Sequence, residues 1–125
     1  MATRDYSENQ RRVLKLQGLV VLAVLEPMLE PNDEGKRRSL ESLAREMGVS
    51  GVTLGHLQRG KRGAGRVTIT QLSRYMDDEQ RRLWLHLLRL FDQEAEDMRE
   101  HLITFGREIA NSFYLPGGQV QAALA

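Results

Sequence analysis

Two short amphipathic segments, "LESLAREM" (40–47) and "GVTLGHLQR" (51–59), stand only three residues apart, and that spacing leaves few ways to fold the middle of the chain. Ser39 and Ser50 precede them as N-cap residues, whose hydroxyls accept from backbone N–H groups that have no partner within the helix. Gly48 stops the first segment, as a glycine in the left-handed region does after a helix. Leu40, Leu43, Ala44 and Met47 form the apolar face of the first segment, and Leu54 and Leu57 point inward from the second. The pattern predicts two helices packed across a tight turn, with Ala44 small enough to let their axes approach.

The rest of the chain also reads as helix. Ser7 and Gln10 have the spacing of a capping box, and Val13, Leu14, Leu16, Val20, Val21, Val24 and Leu25 recur at helical intervals behind them. The run "GLVVLAVL" (18–25) is apolar nearly all round, which predicts a helix buried on more than one side. It is far too short to span a bilayer. Pro27 kinks or ends this helix, and "EPNDEG" (30–35) is a loop. Thr68 and Gln71 predict another capping box for a helix carrying Ile69, Leu72 and Tyr75. Asp77, Asp78 and Glu79 put negative charge at the start of the next, where the helix dipole favours it.

That next segment is the longest periodic one. Trp84, Leu88, Phe91, Ala95, Met98, Leu102, Phe105 and Ile109 follow alternating steps of four and three, which predicts one long helix. Its seam either pairs two copies as a coiled coil or packs against the first helix of the same chain; dimerisation is the favoured expectation. Gly106 weakens its end and "LPGG" (115–118) terminates it. The expected fold class is therefore all-α: a small helix-turn-helix domain over 1–76, a long C-terminal dimerisation helix over 77–115, and a flexible tail over 116–125. No convincing strand and no internal repeat stand out.

Charge divides the chain. Nine basic residues lie between Lys36 and Arg74 against Glu41 and Glu46, a local net of +7, whereas the part from Asp77 onward carries nine acids against five arginines. A basic middle and an acidic remainder point to a polyanion as partner of one part only. The chain has no cysteine, so disulfides, a zinc ribbon and a thiol nucleophile are excluded, and a cytoplasmic setting is the expectation. Its three histidines are scattered. Asp97 and His101 stand four apart, but two ligands do not make a zinc site. No serine, histidine and acid arrangement has a nucleophile signature, so the expectation is no enzyme, no metal and no cofactor.

"GHLQRGKR" (55–62) matches G-x-x-x-x-G-K, the start of a phosphate-binding loop, but Arg62 replaces the hydroxyl that would hold magnesium. Such a loop also needs a strand before it, and capped helices precede this one. A different template fits better. "SLESLAREMGVSGVTLGHLQRGKR" (39–62) resembles the helix-turn-helix of the Cro and phage-repressor (XRE) family, through Leu43-Ala44, Gly48-Val49-Ser50, Leu54, Leu57 and Gly60-Lys61. The likeness covers about residues 39–76.

The resemblance implies a dimeric, sequence-specific transcriptional regulator that binds double-stranded DNA, with the start of the second helix in the major groove. Carried onto this chain, Ser50, Gly51, Val52, Thr53 and His56 face DNA, with Gln58 and Arg59 as further polar readers. Lys61, Arg62 and Arg66 would anchor phosphates, and Arg38 joins the DNA-binding set. The chain departs from the family's habit at Gly51 and Val52, where Gln, Asn or Arg often grip base edges. The alternative is a protein-interaction module or antitoxin whose long C-terminal helix captures another protein. RNA is a weaker fit, because none of the seven aromatic residues lies in the basic stretch.

Overall fold

Ser7 opens the helix around which the molecule is built, α1 (Glu8–Leu29). Its hydroxyl accepts from the Gln10 N–H at 3.1 Å and the Gln10 side chain accepts from the Ser7 N–H at 3.0 Å, the expected capping box. Pro27 sits in the last turn, and the helix ends two residues later. The computed structural model describes residues 6–93 and 98–125, and among them every regular element is helical. After α1 come α2 (Leu40–Met47), α3 (Gly51–Gln58), α4 (Arg66–Ser73), α5 (Asp78–Leu90), α6 (Met98–Ser112) and α7 (Gly117–Leu124). The all-α expectation holds.

The central helix packs against α2, α3, α5, α6 and α7. It can do so because Val13, Leu14, Leu16, Val20, Val21 and Leu25 point in several directions and are all buried. Each such side chain stabilises the fold by about 1.5–3 kcal/mol relative to leaving it in water.

The single long C-terminal helix is not what forms. The segment folds back: α5 ends at Leu90 and α6 begins at Met98. The two run antiparallel, since Gln80 near the start of α5 donates to the Ser112 carbonyl at the end of α6, at 3.0 Å. Trp84, Met98, Leu102, Phe105 and Ile109 are buried inside this one chain, and Leu88 and Phe91 are half-buried against the same core. Ala95 lies outside the described residues. On α5 the deepest face is Leu83, Trp84, Leu87 and Leu90, turned slightly from the expected stripe. Steps of four and three describe an apolar stripe but not what covers it. A continuous helix would also set Asp92, Glu96 and Glu100 four apart on one side, where like charges repel.

The expected flexible tail is likewise helix. In α7, Val120, Ala123 and Leu124 are buried against α6 and α1. Gly106 provides the seat: a Cβ there would stand 2.8 Å from a Val120 methyl and 2.9 Å from one of Leu124. The Arg12 guanidinium donates to the Leu124 carbonyl at 3.1 Å, holding the end of the helix.

One further expectation is corrected. α4 starts at Arg66 behind Gly65, and Thr68 is buried inside the helix rather than capping it. Tyr75 is exposed and Met76 takes the buried place.

Candidate nucleic-acid interface

The turn between α2 and α3 is built as its residue types demand. Ser39 accepts from the Ser42 N–H at 3.1 Å and Ser50 from the Thr53 N–H at 3.4 Å, so both helices begin capped. Gly48 takes φ +75° and ψ +27°, a left-handed conformation that costs glycine little and a residue with a Cβ about 1–2 kcal/mol. The Val49 N–H donates back to the Ala44 carbonyl at 2.9 Å, and the chain then turns into α3. Leu43, Ala44, Met47, Leu54 and Leu57 are buried between the two helices and the core.

With Leu54 and Leu57 inward, helical spacing places Val52, Gly55, His56 and Arg59 on the outward face. Val52 is 68% exposed. Gly55 gives room to Arg59, whose guanidinium would lie 3.6 Å from a Cβ at position 55. Ser50 is exposed, while Gly51 and Thr53 are half-exposed on the flank. Gly51 packs against α2, where a Cβ would come 3.6 Å from the Glu41 Cα.

Two expected contacts are placed elsewhere. Gln58 lines a groove with Leu19, Leu22 and Arg38, on the α1 side of α3 rather than its outward face. Arg38 is ion-paired with Glu46 of α2. By contrast, Arg59, Lys61, Arg62 and Arg66 are all exposed, and none forms an ion pair among the described residues.

The basic glycine-rich segment after α3 is anchored. Gly60 adopts φ +66° and closes α3, with the Lys61 N–H donating to the His56 carbonyl at 3.0 Å. Beyond it, the Gln17 carboxamide of α1 donates to the Arg62 carbonyl at 3.0 Å and accepts from the Ala64 N–H at 3.4 Å. Gln17 is only 2% exposed. Neither Gln17 nor its neighbour Gly18 stands out in the sequence. A glutamine within an apolar helical run is the one signal that could have marked it, because a buried carboxamide needs partners.

His86 and His101 also come together, with their Nε2 atoms 3.0 Å apart across α5 and α6. Asp97 lies outside the described residues, and no group of three or more metal-binding side chains occurs among the described ones. No helix is long and apolar enough to cross a membrane among them either. No protein-family model, curated protein or solved structure matches the chain.

Proposed function

We propose that this chain is a double-stranded DNA-binding regulator that acts by occupying its site, with α3 presented to the major groove. The observation that carries the reading is the capped α2–Gly48–α3 crossing, together with the outward Val52, His56 and Arg59 beside three exposed cations. Val52 suits a thymine methyl, while His56 and Arg59 can donate to base edges; an arginine pairs best with guanine. Lys61, Arg62 and Arg66 suit phosphates, which position a protein without reading sequence. This division needs no cofactor and no chemistry.

Selection from a randomised duplex library, at about physiological salt and with nonspecific competitor, tests the reading. Enrichment of a short motif is the expected result, and an inverted repeat would show that two subunits bind together. Failure of any sequence to enrich would remove the sequence-reading claim. A second reading, capture of another protein, draws on the exposed Leu85 of α5 and Ile103 of α6. A stoichiometric protein partner that co-purifies and occupies that surface would favour it.

A further inference from the structure

We infer that Gln17 is a positioning residue: it fixes the basic segment 61–65 against α1, just beyond the end of α3, so that its cations and the outward face of α3 meet one duplex together. The inference rests on the DNA-binding reading above. A primary amide carries both a donor and an acceptor, so one glutamine can engage a carbonyl and an N–H of the same segment. Gln17 does this with Arg62 and Ala64, at 3.0 Å and 3.4 Å.

The arrangement works in both directions. A buried carboxamide is costly without partners, so Gln17 holds the segment in place. With Gly63 and Gly65 inside it and Gly60 just before it, the segment would otherwise lose much freedom on meeting DNA. With the Arg62 carbonyl turned inward, its side chain is left exposed. The next residue of α1, Gly18, lies against the last carbonyls of α3. Two consecutive residues of one helix thus set the distance between the reading helix and its phosphate anchors.

The test measures binding of the full chain to a mixed-sequence duplex by fluorescence anisotropy across a salt series. Gln17→Met keeps the length and removes both hydrogen bonds. Its expected effect is roughly tenfold weaker binding, with the slope of log affinity against log salt shallower by about 0.9 for each phosphate no longer engaged. Adding Arg62→Ala should then cost little, although it weakens the wild-type protein, because the two changes remove one interaction. A general loss of stability would not produce that non-additivity. Should Gln17→Met not fold, amide exchange of the wild-type protein decides: an Ala64 amide exchanging as fast as in a free peptide overturns the inference. Unchanged affinity and slope in a folded Gln17→Met protein also overturn it while leaving the DNA-binding reading intact. If the wild-type protein binds no duplex even at low salt, that reading falls and this inference with it.

Discussion

Gly18 of α1 lies directly on Gln58 of α3: a Cβ at position 18 would stand 2.7 Å from the Gln58 carbonyl oxygen and 2.9 Å from that of Leu57. The helices meet backbone to backbone at this point. On a solvent-facing helix, replacing glycine by alanine stabilises by roughly 0.5–1 kcal/mol. Here the obstructing atoms belong to the main chain of another helix and have no rotamer to change. Gly18→Ala should therefore lower stability by about 1–3 kcal/mol, and Gly18→Val by more. Urea unfolding midpoints measure this; a Gly18→Ala protein as stable as the wild type would mean that the two backbones do not meet.

That meeting of backbones also shows where sequence reading stops. The caps at Ser7, Ser39 and Ser50 are legible because donor and acceptor lie three residues apart, so local spacing is the whole interaction. The Gly48 turn is legible for the same reason. Gly18 and Gln17 are not, since their meaning depends on residues about forty or more positions away. Leu102 and Ile109 are recognisable as apolar-face residues, yet the stripe they belong to does not say whether a second chain or the same one covers it. Thr68 matches a cap pattern, but Gly65 already ends the preceding loop in extended backbone, so the helix starts earlier.

The histidine pair predicts a pH response. The ring centroids are 5.3 Å apart, about the 3.0 Å between nitrogens plus two ring radii, so the Nε2 atoms meet head-on. That geometry suits one shared proton and opposes two. Burial first, then the charge of His101 and the nearby Arg82, holds His86 below its ordinary value; Arg89 acts the same way and Glu108 opposes them. A histidine with a lowered folded-state pKa contributes stability that is complete above its unfolded value, near 6.5, and is lost as pH falls through the range below it. Melting temperature should decline from about pH 7 to about pH 5, and His86→Gln should flatten the decline. An equally steep decline in that variant would assign the response to other groups.

The last helix predicts a contrast between adjacent residues. Leu124 is 6% exposed against Gly106, whereas Ala125 is open to solvent. Leu124→Asp should cost about 2 kcal/mol or more by placing a carboxylate where a methyl packs. Ala125→Asp should stay within about 0.5 kcal/mol of the wild type. Equal stabilities for the two variants would show that α7 does not dock.

Tyr114, two residues beyond α6, takes a conformation its side chain does not favour, at φ +57° and 89% exposed. The Leu115 N–H donates to the Ala110 carbonyl at 2.9 Å, the closing bond of a helix end that normally carries glycine at this place. Since so exposed a ring packs against little, Tyr114→Gly should raise stability by about 1 kcal/mol. A lower melting temperature would mean that the ring is held by interactions of its own.

Glu41 is the residue that fits the proposed interface least. It lines the groove formed by Ser50, Gly51, Val52 and Arg59, and a Cβ at Gly51, the first residue of α3, would stand 3.6 Å from its Cα. A carboxylate there repels phosphate by about 1 kcal/mol at contact distance in water, which corresponds to roughly a fivefold change in affinity. Glu41→Gln should therefore tighten duplex binding by up to that factor at low salt, with the gain shrinking as salt screens the charge. Glu100→Gln, the same change on the remote α6, should leave affinity nearly unaltered. If both variants gain equally, the effect is one of net charge alone and α3 is not the face that meets DNA. If only Glu41→Gln gains, the acid lies within reach of the phosphates and weakens the protein's hold on every duplex it meets.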